Sequence, residues 1–224
     1  MSYKFYEETR FKESEVGPIP KDWQVGRLGE VSTISSGGSA PQGDFYFGGK
    51  NYFIRVSHID NQTNTIKTFD LITDEAVKKY KLKLYQKGTI VFPKSGATVY
   101  LEKRAQLPFD AYIVSHLCAV HSNSKNLDQK FLYFVLLKSK FAEKKGDGYP
   151  TLNLSEIKQI PIPLPPLSEQ KAIAEILQTI DDKIQKEEAR KQAIENLFKS
   201  MLSKLMSGEL RVHRVESYGQ ATQA

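Results

Sequence analysis

Three groups of residues have types and spacing that could do chemistry. Asp110 follows Pro108-Phe109, and Asp128-Gln129-Lys130 lies downstream. Together they loosely imitate the acidic, metal-binding triad of a nuclease. However, an acidic-x-Lys triplet recurs at Glu143–Lys145 and Glu156–Lys158. A pattern that composition produces three times carries little information, and Asp128 is better explained as a helix-start residue. His116, Cys118 and His121 form HLCAVH, with conceivable soft-metal spacing. No second ligand pair accompanies them, and YIVSHLCAVH reads as a buried strand. The glycine-rich stretch 37–49 lacks G-x-x-x-x-G-K-[ST], so it is no P-loop. No Asn/Asp-Pro-Pro-aromatic tetrapeptide is present to hold an amino group for methyl transfer, and no Pro precedes Cys118. The chain therefore reads as a binder rather than a catalyst.

Charge indicates what it could bind. Residues 1–150 hold 22 Lys and Arg against 16 Asp and Glu, while residues 151–224 hold 10 of each. The whole excess of +6 lies in the first two thirds. Between Lys78 and Arg104, eight positive side chains face Glu102 alone. A local basic excess is the electrostatic footprint of a polyanion binder, although a solvated lysine-rich surface gives the same composition. Three glycine-rich loops in this region interleave aromatic and polar residues: 37–50, KSGATVY at 94–100 and KKGDGYPT at 144–151. Loops of this kind can place Lys on phosphates and Ser, Thr or Tyr on base edges. There is no helix-turn-helix or zinc-finger pattern.

The elements that must position these loops are mixed. Segments 52–56, 89–92 and 111–120 read as strands between Gly and Pro punctuation, and 74–80 and 128–141 as helices. IPIPLPP at 160–166 has four prolines in seven positions. It must be extended, as an edge strand or a semi-rigid connector. From Ser168, a good N-cap, to Met206 there is no Pro or Gly, and Gly208 supplies the stop. That predicts about 58 Å of helix, long enough to suggest a coiled coil. The fold class expected is α/β (α+β): a domain over 1–150, a proline-rich connector over 151–167, a long dimerisation helix over 168–207 and a tail over 208–224. No apolar run reaches the roughly 18 residues of a membrane span, and the charged N-terminus lacks a signal-like apolar core. A single cysteine excludes an internal disulfide framework. A cytoplasmic protein is expected.

Along the long helix, apolar residues recur at 4–3 spacing: Ile173, Leu177, Ile180 and Ile184, then Ile194, Phe198, Met201 and Leu205. Glu187 and Lys191 occupy the seam between these blocks. A parallel dimer would stack each on its own copy. An antiparallel pair centred on Ala189 instead sets Ile173 on Leu205, Leu177 on Met201, Ile180 on Phe198 and Ile184 on Ile194. Glu187 then meets Lys191 twice. One register satisfies apolar and charged positions together.

Several segments in order resemble the specificity subunits of Type I restriction-modification systems. They are EVGPIPKDWQVGRLGEVSTISSGG at 15–38, FYFGGKNYFIRVSHID at 45–60 and GTIVFPKSGATV at 88–99. GYPTLNLSEIKQIPIPLPPLSEQKAIAEIL at 148–177 and LMSGELRV at 205–212 complete the set. Such subunits usually carry two target-recognition domains and two long helices, whereas this chain has one of each. It resembles a half-length specificity subunit, natural or truncated. The resemblance implies an α/β recognition domain on a dimer-forming helix, without catalysis or a cofactor of its own. It would bind double-stranded DNA and hold modification subunits, which bind S-adenosylmethionine and methylate adenine. Restriction subunits using ATP and magnesium would join the assembly. By the same resemblance, Lys50, Lys94, Lys103, Arg104, Lys144 and Lys145 are the expected phosphate contacts. Ser57, His58, Ser95, Gly96, Thr98, Asp147 and Tyr149 are expected near bases. The competing readings are a coiled-coil scaffold whose basic domain binds RNA or another acidic partner, and a free-standing metal nuclease.

Overall fold

The computed structural model describes residues 5–60, 63–141 and 151–213. In chain order the strands and helices are β1 (Phe11–Lys12), β2 (Ile19–Pro20), β3 (Gln24–Arg27), α1 (Leu28–Val31), β4 (Ser32–Ser36), β5 (Phe47–Ile54), β6 (Asp70–Ile72) and α2 (Asp74–Lys79). They continue with β7 (Ile90–Pro93), β8 (Ala105–Gln106), β9 (Tyr112–Ile113), β10 (Leu117–Ser122), α3 (Gln129–Lys138), α4 (Leu154–Lys158), β11 (Pro161–Leu164) and α5 (Leu167–Met206).

Strand β10 explains the architecture. It is one of the two inner strands of an antiparallel sheet ordered β4-β10-β7-β8, with Cys118 opposite both Ser36 and Phe92. Successive side chains of a strand point to opposite faces. Cys118 and Val120 therefore join Ile34, Ile90 and Phe92 in one core, against Phe131, Leu132 and Leu136 of α3. Leu117, Ala119 and Val91 enter a second core, with Phe53, Ile54, Ile72 and Ile113 from the smaller sheet β6-β5-β9. A sheet covered on both faces needs apolar residues at every inner position. That is why this segment lacks polar alternation.

Segment 111–120, expected as one strand, is instead β9, a tight turn and β10. The turn passes the chain from the smaller sheet to the larger. Helix α3 is capped by Asp128, whose carboxylate accepts the N–H groups of Lys130 and Phe131, both at 3.0 Å. It stops at Lys138, short of the expected Phe141, because Ser139 turns extended.

The expected domain boundary at residue 150 moves. Leu152, Ile157, Ile162 and Ala174 are all buried in the first core. The compact units are Met1–Leu177 and Gln178–Ala224. The proline segment is strand β11, paired antiparallel with β3 in a two-stranded sheet. There the missing N–H groups of Pro161 and Pro163 are tolerated. Helix α5 begins one residue before the expected cap. The carbonyl of Pro166 accepts the N–H groups of Glu169 (2.9 Å) and Gln170 (3.0 Å), and Ser168 lies in the first turn. The buried Gln170 side chain donates to Asn126 O (2.9 Å) and Pro165 O (2.8 Å) and accepts from Asp128 N (2.9 Å). It ties the start of α5 to the start of α3. At the other end Gly208 adopts φ +74°, the left-handed stop. Among the described residues no helix is long and apolar enough to cross a membrane.

Candidate nucleic-acid interface

Two of the predicted glycine-rich loops, those opening at Gly37 and Lys94, begin at one place together with the segment that follows β5. Strands β4 and β7 both run antiparallel to β10, so their C-terminal ends lie beside its start. Strand β5 ends there too, because it pairs in parallel with β9 and Ile54 sits opposite Ile113. All three meet the turn 114–117, closed by Leu117 N–H to Val114 O at 2.9 Å.

Every carbonyl of this corner is bonded. Ile113 O accepts from Gly38 N (3.0 Å), Leu117 O from Gly37 N (3.1 Å) and His116 O from Lys94 N (2.9 Å). Ser115 O accepts from the Ser36 hydroxyl (2.9 Å), and Val114 N–H donates to Ile54 O (3.0 Å). The approach at Gly37 admits no side chain: a Cβ there would lie 2.3 Å from the carbonyl oxygens of Ile113 and Val114. The sequence places glycine where the backbone of one loop must touch the corner.

Of the predicted residues, the structure unites Lys94, Ser95, Gly96 and Thr98. Lys94 is half-buried, and its carbonyl accepts Leu152 N–H at 2.7 Å. The Ser95 hydroxyl lies 2.7 Å from His116 Nδ1, and Ser95 faces Thr151 in an antiparallel bridge. Gly96, at φ +81°, opens a short 3-10 turn, and Thr98 donates to Ser95 O at 3.3 Å. Ser57 is exposed on the 3-10 turn that follows β5.

Other assignments change. Lys103 and Arg104, expected on phosphates, are buried at 6% and 2% exposure. Lys103 Nζ donates to Ile59 O at 2.9 Å, and burial lowers its pKa, with Asp60 opposing. Arg104 is flanked by the rings of Phe92 and Phe141 and paired with Glu102. Both are structural cations. His58, expected near bases, is folded inward: Nδ1 accepts Arg55 N–H at 3.1 Å, and Nε2 lies 3.7 Å from the Asp70 carboxylate. Lys50 is exposed but sits at α2, 3.1 Å from Asp74. Hydrogen bonds from Asn51 and then Lys50 lower the pKa of Asp74. Lys144, Lys145, Asp147 and Tyr149 lie outside the described residues.

His116 was missed. Read as part of a buried strand, it is exposed at the corner of the turn. The signal was the polar pair Ser115-His116 interrupting two apolar runs. The nuclease constellation disperses: Asp110 accepts Lys87 N–H at 2.7 Å while Asp128 caps α3. Among the described residues no group of three His, Cys, Asp or Glu is placed to hold a metal ion. Cys118 is buried, which pushes its thiol pKa up to about 12 against the pull of Lys94 and Arg104.

On α5, Leu177, Ile180, Ile184, Ile194, Phe198 and Met201 are exposed, Phe198 at 65%. Ile173 and Leu205 are half-buried. Glu187 and Lys191 make only loose pairs along the helix, to Arg190 (3.8 Å) and Glu195 (3.9 Å).

Residues 20–196 match the family of the Type I restriction modification DNA specificity domain. The MjaIX specificity subunit of Methanocaldococcus jannaschii is 33% identical over 88% of this chain and 46% of its own length. The EcoDI specificity subunit of Escherichia coli is 27% identical over 90% of this chain and 45% of its own. The chain thus spans about half the length of the curated relatives it matches. The crystal structure of the HsdS subunit from Thermoanaerobacter tengcongensis aligns over 87% of this chain and 47% of its own, at 20% identity and a TM-score of 0.54. The S subunit of M. genitalium aligns with a TM-score of 0.58 at 18% identity, over 83% of this chain and 46% of its own. These likenesses confirm the mixed α/β fold with a long C-terminal helix, and on the match over 20–196 the chain belongs to the Type I restriction modification DNA specificity domain family.

Proposed function

We propose that this chain is the DNA-recognition subunit of a Type I restriction-modification complex, directing adenine methylation and restriction that its partners catalyse. The observation that carries this reading is the meeting of three polar loop regions at one fully bonded corner, in a chain of this family. A hydrogen-bonded corner presenting polar loops suits sequence readout, because contacts set on fixed backbone discriminate more sharply than mobile ones. The chain binds double-stranded DNA and holds modification subunits carrying S-adenosylmethionine. Restriction subunits using ATP and magnesium complete the assembly. The chain itself binds no cofactor and acts in the cytoplasm.

Two copies of this chain pair antiparallel through α5, whose apolar stripe is exposed in the single chain. A twofold dimer reads the same half-site in opposite orientations, so the target is an interrupted palindrome with half-sites roughly one turn of DNA apart. The test is to express the chain with its cognate modification subunit and map methylated adenines across the genome. One bipartite palindromic motif is expected. Methylation without any motif defeats the recognition reading, and two unrelated halves from this one chain defeat the dimer.

A further inference from the structure

His116 stands where the three loop regions meet. Its backbone belongs to a fully hydrogen-bonded corner, since each carbonyl from Ile113 to Leu117 accepts a hydrogen bond. Its side chain is exposed, and Ser95 holds the ring at Nδ1, 2.7 Å away. An exposed imidazole ordinarily samples several rotamers. This one is anchored at the backbone and at one ring nitrogen, which leaves Nε2 as its remaining hydrogen-bonding function. Pre-organisation of this kind lowers the entropic cost of a directional contact.

We propose that His116 is a specificity-determining residue that hydrogen-bonds through Nε2 to the major-groove edge of a purine. The inference rests on the DNA-recognition reading above and deepens it. We assign the tautomer in which the Ser95 hydroxyl donates to Nδ1, which puts the ring proton on Nε2 and makes it a donor. The acceptors that match are purine N7 and guanine O6. A phosphate is the poorer match. Phosphate contacts favour a cation on a long stem, which neighbouring Lys94 supplies, whereas an imidazole fixed at two points reads direction. Ser95 is then a positioning residue, acting through the ring.

The experiment is the same methylation map, made with the chain and its cognate modification subunit. It compares wild type with His116→Ala, Ser95→Ala and Ser95→Thr, with thermal unfolding measured on each protein. For His116→Ala the motif should keep every position but one purine in each half-site. Sites altered there should gain methylation about tenfold relative to wild type. Ser95→Ala should relax the same position to a lesser degree, and Ser95→Thr, which retains the hydroxyl, should restore it. An unchanged motif overturns the proposal. So does a uniform fall at all sites, which assigns His116 to a phosphate or to folding. If wild type itself gives no motif, the recognition reading fails first.

Discussion

The guanidinium carbon of Arg104 lies 4.3 Å from the ring centroid of Phe141, and it lies 4.9 Å from that of Phe92 on the larger sheet. Arg104 also donates to Lys103 O (2.9 Å) and Ser139 O (3.4 Å) and pairs with Glu102, whose other oxygen accepts Phe141 N–H at 2.8 Å. One buried cation thus ties the stretch after α3 to the loop after β7. Removing it leaves the Glu102 charge without this partner and a cavity between two rings. Arg104→Ala should lower unfolding free energy by about 3–5 kcal/mol, the usual cost of breaking a buried pair. Urea denaturation checks this. A change under 1 kcal/mol would mean that the rings close over the gap.

The burial of Lys103 separates two lysines that the sequence could not tell apart. Lys94→Ala should reduce the salt slope of DNA binding by about one unit, as loss of one phosphate contact does. Lys103→Ala should leave the slope unchanged and reduce stability instead. Binding titrations across a range of salt concentrations, on the complex with modification subunits, measure both. A lower slope for Lys103→Ala would place DNA where the structure places Ile59.

His58 makes stability depend on pH. Burial holds its pKa below the ordinary 6.5; the Asp70 carboxylate opposes this and Arg55 adds to it. As pH falls, the unfolded chain therefore takes up the proton before the folded one does. The contribution is complete above about pH 6.5 and is lost as pH drops from there through the folded value. Denaturation midpoints at pH 7.5 and 5.5 should differ more for wild type than for His58→Gln. An equal difference would show that other groups set the acid limb.

Much of this was legible in the sequence, and the failures share a cause. The long helix, its glycine stop and the extended proline strand follow from local chemistry, because proline and glycine restrict the backbone wherever they stand. The glycine-rich loops opening at Gly37 and Lys94 were legible for the same reason, although the first gives way to β5 at Phe47, inside the expected 37–50. Charge was not: Lys94, Lys103 and Arg104 look alike in sequence, and only the aromatic pair Phe92 and Phe141, distant along the chain, makes a buried site for one of them. His116 was hidden by the opposite effect. Apolar runs on both sides suggested one strand, but they belong to two sheets, and the chain must turn between them. Domain extent failed because Leu152, Ile162 and Ala174 reach the core only in three dimensions.

The helix pairing makes the most specific prediction. Ile180, Ile184, Ile194 and Phe198 are each more than half exposed in the single chain, so an apolar stripe is left for a partner to cover. Pairing centred on Ala189 buries these residues against one another and faces Glu187 with Lys191 at two symmetric places. Partly exposed charge pairs add little stability, so their role is to select register and direction over the parallel alternative. The selection can be inverted. Glu187→Lys alone should weaken the dimer, since four positive side chains then meet at its centre. Adding Lys191→Glu exchanges the charges and should restore it. In a parallel pair like charges face each other in wild type and in the exchanged form alike, while the single change leaves the same-charge count high. Sedimentation equilibrium on the three proteins measures this. Direction is read separately by mixing Ile184→Cys and Ile194→Cys chains in a Cys118→Ser background, which should cross-link to each other readily. Ile173→Cys in the same background should stay uncoupled, because its partner position is Leu205. Efficient coupling through position 173 would mean a parallel pair and sink the antiparallel register.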